Sequence, residues 1–128
     1  MQQSINLHTI FTFASEEAHR LGNIDIMPDH MLLGILRLGA GKAFELLMQA
    51  GMDPVATKTA MDKNLRQAEP LSGTPKLFRS SERIIRLMNA EARKYQADVC
   101  SSVHLLLAIL HDRINYPAKY LWQEYSID

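Results

Sequence analysis

Two histidines occupy matching places in the chain, and histidine is the side chain best suited to move protons near neutral pH. His30 and His104 each lie shortly before a Leu-Leu pair, near the start of a predicted helix. They could form a metal pair or act as general bases. A catalytic dyad needs an acid to orient the imidazole, however, and the neighbour of His104 is Val103. We therefore predict that each imidazole is a partly buried hydrogen-bonding group that ties its helix to a neighbour.

The other motifs that could carry chemistry are incomplete. The Gly-Ala-Gly-Lys run that begins at Gly39 lacks the first-glycine spacing of a phosphate-binding loop and the Ser or Thr after its lysine. The chain has no HExxH motif and no paired cysteines for zinc. Its single cysteine, Cys100, excludes an internal disulfide and suits a reducing compartment. We expect no catalytic residue, no cofactor and no metal site, and hence no enzyme activity in these 128 residues.

The chain contains an internal duplication. Residues 15–38 return as residues 89–112 at a constant offset of 74, and after a loop predicted to be one residue longer the offset becomes 75. A duplicated segment of this size indicates two half-modules, each too small to bury its own apolar face, that pack against each other. The matched pairs include Glu17 with Glu91, His30 with His104, Leu33 with Leu107, Ala43 with Ala118, Leu46 with Leu121 and Asp53 with Asp128.

Helices must position these residues, because apolar side chains recur at steps of three and four nearly throughout. No segment shows convincing strand alternation, so the predicted fold is all-α. Pro28 and Pro54 are placed as first-turn residues, and Ser80-Ser81 and Ser101-Ser102 as N-caps. The predicted helices cover about 6–21, 28–38, 42–50, 54–68, 80–97, 103–110 and 117–125.

The pattern divides one domain, residues 1–128, into two pseudo-symmetric units. Repeat one covers about 5–68, a Pro/Gly/Ser-rich linker covers about 69–79, and repeat two covers about 80–128. Each unit should hold four helices. Asp128 matches Asp53, which caps the fourth helix of repeat one, so the last helix of repeat two is missing from this sequence. Either that helix has been lost or the sequence is part of something longer.

Composition and charge favour a globular domain without a membrane or nucleic-acid partner. The chain is 47% hydrophobic and 22% charged, with zero net charge, and it shows no signal peptide and no apolar run of membrane-spanning length. We therefore expect a cytoplasmic location. Residues 58–94 carry nine Lys or Arg against four acids, but a single aromatic residue, Phe78, is too few for a series of base-stacking positions. We therefore predict that residues 58–94 form a solvent-exposed helix-linker-helix face.

Together, the segments EEAHRLG and MPDHMLLGIL and the weaker second copy, EARKYQ and SSVHLLLAIL, resemble the Clp N-terminal repeat. Two such repeats form the N-terminal domain of the ClpA, ClpB and ClpC family of Hsp100 unfoldases, and the sequences of these segments most resemble ClpC. The resemblance implies a non-catalytic domain that sits above an ATPase ring and docks adaptor proteins and substrates for degradation by the ClpP peptidase. The alternative is a free-standing Clp-repeat protein that competes for adaptors, and a third reading is a small helical nucleic-acid binder that uses the basic stretch.

The resemblance also points to particular binding residues. In ClpC-like members, a Gly-Thr-Glu turn before each histidine supplies the acid and hydroxyl that look like a site for phosphorylated arginine. Here the first turn keeps an acid, Asp29, without the hydroxyl, and the second keeps hydroxyls, Ser101 and Ser102, without the acid. A phosphoarginine needs a carboxylate for its guanidinium and donors for its phosphate, so we expect weak or absent binding.

The outer faces of the first helix of each repeat are the predicted docking surface. Glu16 and Arg20 stand one turn apart and are predicted to pair. If the surface assignment holds, charge reversal there should leave the melting temperature nearly unchanged. The candidate contacts that the helical stripe leaves outward are Glu16, His19, Arg20, Arg79 and Arg83.

Overall fold

A computed structural model describes residues 2–66 and 76–128. The described part of the chain is mainly helical, with four helices before residue 67 and three after residue 75. The all-α prediction is therefore confirmed, as is the four-plus-three division of the helices. The helices are α1 (Ile5–Arg20), α2 (Pro28–Leu38), α3 (Lys42–Gln49), α4 (Pro54–Leu65), α5 (Arg79–Lys94), α6 (Ser102–His111) and α7 (Tyr116–Tyr125).

Side-chain caps explain where several of these helices begin. The hydroxyl of Ser4 accepts a hydrogen bond from the Leu7 amide at 3.1 Å. Asp53 accepts hydrogen bonds from the first-turn amides of α4 behind Pro54, and Asn115 caps α7 in the same way. Each cap satisfies an amide that has no partner inside its helix. The predicted starts of α2, α3 and α4 are confirmed, and a side-chain cap accounts for the start of α4.

The start of α5 differs from the prediction. Its N-cap is Phe78, and the helix begins at Arg79 instead of at the Ser80-Ser81 pair. Ser81 is fully buried, and its hydroxyl donates to the carbonyl oxygen of Ile26 in the other repeat. The serine thus joins the two repeats instead of capping the helix. The predicted linker, about 69–79, also includes Arg79, which is the first residue of α5. Most of the predicted linker falls within residues 67–75, which lie outside the described part of the structure.

Four two-residue strands correct the expectation that the chain has none: β1 (Gln2–Gln3), β2 (Asp25–Ile26), β3 (Lys76–Leu77) and β4 (Val99–Cys100). They form two parallel pairs, β1 with β4 and β2 with β3. The strand before the first helix of each repeat therefore pairs with the strand after the first helix of the other repeat. Two residues are too few to show the period-two pattern by which strands are predicted. The exchange joins the two repeats by backbone hydrogen bonds.

The position of the extra residue in repeat two also differs from the prediction. The N-caps Gly41 and Asn115 are 74 residues apart, so the preceding segments have equal length. The amide of Met52 donates to the carbonyl oxygen of Leu47, and the amide of Ile127 donates to that of Leu121. The two donors are 75 residues apart, whereas the two acceptors are 74 residues apart. The extra residue therefore lies between Leu121 and Ile127, at the C-terminal end of α7. The buried residues of the third helices match at an offset of 74, contrary to the pairing of Ala43 with Ala118.

One continuous apolar core joins the repeats, and Gly34 sets its closest helix approach. A β-carbon at Gly34 would lie 2.6 Å from the backbone oxygen of Ile10, so α1 and α2 cross at a distance that only glycine permits. Ala108 occupies the equivalent position in α6, 74 residues later. The largest fully buried side chains, drawn from both repeats, are Leu7, Ile10, Met31, Leu32, Leu33, Ile35, Leu47, Met61, Ile84, Met88, Leu105 and Ile109.

Candidate functional site

The repeated histidines cap their own helices. The backbone amide of Met27 donates to Nδ1 of His30 at 2.8 Å, and the amide of Ser101 donates to Nδ1 of His104 at 2.9 Å. In each case the third helical residue reaches back to the N-cap, as Glu or Gln does in a capping box. The duplication of histidine thus reflects a duplicated helix start.

His30 also connects α2 to α4 through its second ring nitrogen. Nε2 lies 2.9 Å from the side-chain oxygen of Asn23, and the Asn23 amide donates to the carbonyl oxygen of Leu65. Because Nδ1 accepts a hydrogen bond, Nε2 carries the proton of the neutral ring. Burial lowers the pKa of His30 to about 4. Both nitrogens are therefore occupied, which confirms the prediction of a buried hydrogen-bonding residue for His30.

Asp29 is buried in the first turn of α2 instead of facing solvent. Its side chain accepts a hydrogen bond from the Asn64 amide at 2.9 Å. Burial raises the pKa of the Asp29 carboxyl above its ordinary value. The carboxyl lines a cavity of about 210 Å³ between the repeats, together with Ser80 and Arg83. Arg83 forms two hydrogen bonds to the carboxylate of Asp112, at 3.1 and 3.2 Å.

The two serines of the second turn are used inside the fold. The Ser102 hydroxyl is buried and accepts a hydrogen bond from the Ala43 amide at 3.2 Å, which joins α6 to the start of α3. The Ser101 hydroxyl lies 3.2 Å from Nδ1 of His104. The structure brings Asp29 and Arg83 into one cavity, whereas these hydroxyls belong to the turn of the other repeat.

The outward assignment holds for four of the five predicted surface residues. Glu16, His19, Arg20 and Arg79 are exposed, and Arg83 is half-buried. The exposed Arg20 also donates to both Glu17 and Asp62, each at 2.9 Å, and both of these carboxylates are largely buried. Arg83 is likewise held by Asp112, whose side chain is largely buried.

The predicted pairing of Glu16 with Arg20 is wrong. Glu16 pairs with Arg37 of α2 at 2.8 Å, and the Arg37 guanidinium stacks 4.2 Å from the centre of the Phe13 ring. Arg20 turns toward α4, where Asp62 provides a less exposed partner than Glu16. Sequence spacing shows that Glu16 and Arg20 are neighbours on one helix. It does not reveal their partners on other helices, Arg37 and Asp62.

We expect Arg20→Gln to lower the free energy of unfolding by about 1–2 kcal/mol, because it leaves two largely buried carboxylates short of a partner. Arg20 is itself partly solvated, which keeps the loss below that of a fully buried pair. The matched control is Arg79→Gln, which should change stability by less than about 0.5 kcal/mol. Urea unfolding monitored by circular dichroism measures both. Equal stabilities would show that the Arg20 ion pairs are not formed in solution.

The structure also contains an open groove that the sequence did not reveal. It lies between α1, α2 and the start of α4, with a volume of about 400 Å³. Only the fold brings its three helices together, although Leu33, Leu36 and Arg37 share a helical face that could have indicated it. This first-repeat groove is lined by Glu17, Arg20, Leu33, Leu36, Arg37, Pro54, Val55 and Lys58.

The described ranges, 2–66 and 76–128, contain no group of three or more His, Cys, Asp or Glu residues arranged to hold a metal ion. Among these residues, no helix combines the length and the apolar character needed to cross a bilayer. Cys100 is a free thiol and is buried.

Comparison with known proteins identifies relatives among large ATP-dependent chaperones. The negative regulator of genetic competence ClpC/MecB of Bacillus subtilis is 28% identical over 112 residues, which cover 88% of this chain and 14% of that protein. The chaperone ClpB of Oceanobacillus iheyensis is 26% identical over 116 residues, with the same two coverages. An uncharacterised protein of Mycobacterium tuberculosis is 32% identical over 97 residues, 76% of this chain and 38% of its own length.

Solved structures show the same fold. The N-terminal domain of Hsp104 from Candida albicans superposes with a TM-score of 0.81 at 15% identity, covering all of this chain and 84% of that one. The N-terminal domain of the ClpV1 ATPase of E. coli gives a TM-score of 0.85 at 20% identity, covering 99% and 78%. The family model for the Clp repeat (R) N-terminal domain matches residues 4–124. This chain therefore belongs to the Clp repeat N-terminal domain family.

Proposed function

We propose that this chain is a non-catalytic docking module that presents adaptor proteins and protein substrates to a ClpC- or ClpA-type unfoldase working with the ClpP peptidase. The observation that carries the proposal is the family match over residues 4–124, which spans both repeats. The exposed polar residues of α1 and α5, and not Asp29 or Ser102, are the candidate contacts, because Asp29 and Ser102 bond within the fold. We place the module in the cytoplasm.

The chain spans only 14% of the length of the ClpC and ClpB relatives. ATP hydrolysis and unfolding would therefore be properties of an ATPase ring, with this domain supplying binding alone. The predicted contacts on the outer faces of α1 and α5, namely Glu16, His19 and Arg79, remain exposed in the fold and are proposed to contribute to docking.

The proposal is tested by titrating fluorescein-labelled casein, an unstructured model substrate, with the purified chain and following fluorescence anisotropy. Saturable binding that is unaffected by added ATP is expected. Isothermal calorimetry with ATP in the same buffer should show no stoichiometric binding. If casein does not bind and nucleotide does, the domain is not a docking module.

The second candidate is a regulator that competes for adaptors without an ATPase ring of its own. It is favoured by the M. tuberculosis relative, of which the match covers 38%, so the repeat also occurs in proteins much shorter than ClpC. Fusing the chain to a ClpC ring that lacks its own N-terminal domain distinguishes the two. A docking module restores ClpP-dependent degradation of casein, whereas a regulator that acts only as a free competitor does not restore it.

We expect little or no binding of free phosphoarginine by this chain. Asp29 is buried and already bonded to Asn64, and the Ser102 hydroxyl already accepts from the Ala43 amide. Each charge-assisted contact that a turn cannot offer costs about 1.5–3 kcal/mol, or about tenfold to a hundredfold in affinity. Calorimetric titration measures this, and tight binding at two equivalent sites would contradict it.

A further inference from the structure

We propose that the first-repeat groove binds a peptide segment of a partner protein in which an apolar side chain is flanked by carboxylates. This inference rests on the proposed docking function and names the site and the chemistry of what docks there. Its volume of about 400 Å³ is at the small end of ligand pockets, which suits one large side chain better than a folded surface.

The floor of the groove is apolar. Leu33 and Leu36 of α2 form its base, and Pro54 and Val55 form the edge contributed by α4. Val55 is a branched apolar residue, yet it is 75% exposed. It lies in the first turn of α4, which Asp53 caps and Pro54 begins, at the edge of the groove. An apolar side chain that enters the groove would cover Val55 and Leu36 and remove apolar surface from water.

The rim of the groove carries three basic side chains that are partly exposed to solvent. The side chains of Arg20, Arg37 and Lys58 are 39%, 41% and 52% exposed. Arg20 and Lys58 pair with Glu17 and Asp62, which are only 7% and 10% exposed, whereas Arg37 pairs with Glu16, which is 51% exposed. A ligand therefore meets three cations at the surface, and the acidic partners of Arg20 and Lys58 lie beneath them. Carboxylates beside the apolar side chain would complement this rim, since arginine and lysine retain donors for a second acceptor.

The second repeat provides an internal comparison. A groove of about 220 Å³ lies between α5 and α6, and five of its lining positions fall 74 residues after those of the first-repeat groove. This second-repeat groove has histidine where the first has Arg37, and no residue there corresponds to Lys58 of α4. It is smaller and presents fewer permanent cations. The five pairs are Glu17 with Glu91, Arg20 with Lys94, Leu33 with Leu107, Leu36 with Leu110 and Arg37 with His111.

The test uses the full 128-residue chain and two fluorescein-labelled peptides of equal length. One carries a leucine flanked by aspartate and glutamate, and the other carries the same leucine flanked by the corresponding amides. Anisotropy should show the acidic peptide binding about tenfold more tightly than its amide analogue. The double variant Arg37→Gln, Lys58→Gln should weaken the acidic peptide by about tenfold and leave the amide peptide unchanged, because each lost contact involves a charge.

Two further variants locate the site. Val55→Asp adds an acid to the exposed edge of the groove and should abolish binding of the acidic peptide without lowering the melting temperature. Lys94→Gln, in the second-repeat groove, is the matched control and should bind like the unmodified chain. Equal binding of the two peptides, an unaffected Val55→Asp variant, or a loss caused by Lys94→Gln would overturn the assignment. If casein binds but the acidic peptide does not, the groove inference fails and the docking function stands; if neither binds, both fail.

Discussion

Replacing Gly34 by alanine is expected to lower the free energy of unfolding by about 2–3 kcal/mol, although alanine is the better helix former. The added β-carbon would lie 2.6 Å from the backbone oxygen of Ile10 and 3.1 Å from its Cγ2 atom. The oxygen belongs to a helix backbone and cannot rotate away, so α1 and α2 would have to separate. These helices carry much of the first-repeat core. Urea unfolding of the purified variant, followed by circular dichroism, measures the loss.

The sign of the Gly34→Ala effect is the informative quantity. Helix propensity alone predicts a gain of about 1 kcal/mol for glycine to alanine in a helix interior. The matched control is Ala108→Gly at the equivalent position of α6, which should cost about 1–2 kcal/mol through propensity and a lost buried methyl group. If Gly34→Ala stabilises the protein, the close crossing of α1 and α2 does not exist in solution.

Acidification is expected to cost the domain about 2 kcal/mol of stability between pH 7.5 and pH 5 through His30 alone. This histidine is fully buried, and burial lowers its pKa from the ordinary value of 6.5 to about 4. The unfolded chain therefore takes up the proton first as the pH falls. The contribution of neutral His30 is complete above about pH 6.5 and is lost as the pH approaches 4.

The variant His30→Gln separates this contribution from the other titrating groups. Glutamine can still reach the N-cap amide, as it does in ordinary capping boxes, but it does not titrate. Chemical unfolding at several pH values should show that the variant loses about 2 kcal/mol less than the unmodified chain over this range. Asp29 acts in the opposite direction, because its raised pKa means that the folded state takes up that proton first. An identical pH dependence in the two proteins would contradict the buried, neutral state of His30.

Much of the helical framework could be predicted because its signals are local. Proline in the first turn and a capping side chain just before it identify the start of α4, and both belong to adjacent residues. The duplication predicted two similar units, and the structure shows four helices and three. His30 was correctly predicted to tie its helix to a neighbour, whereas the hydrogen bonds described for His104 go to Ser101 in its own turn.

The remaining features depend on contacts between distant segments. The strand pairs join Gln2 to Val99 and Asp25 to Lys76, and no two-residue segment carries a pattern that predicts such a partner. Arg20 is at the surface, as its position off the apolar stripe predicts, but its partner Asp62 is 42 residues away and could not be identified from a helical pattern. The first-repeat groove was missed for the same reason, since three helices contribute to it.

The most direct test of the docking account is a domain exchange. This chain would replace the N-terminal domain of a ClpC-type unfoldase, and degradation of fluorescein-labelled casein by the chimera with ClpP would be compared with the unfoldase that lacks its N-terminal domain. The account predicts faster degradation by the chimera at limiting casein, through a lower KM with the ATPase rate unchanged. A chimera that assembles and hydrolyses ATP normally, yet degrades casein no faster than the truncated unfoldase, would contradict it.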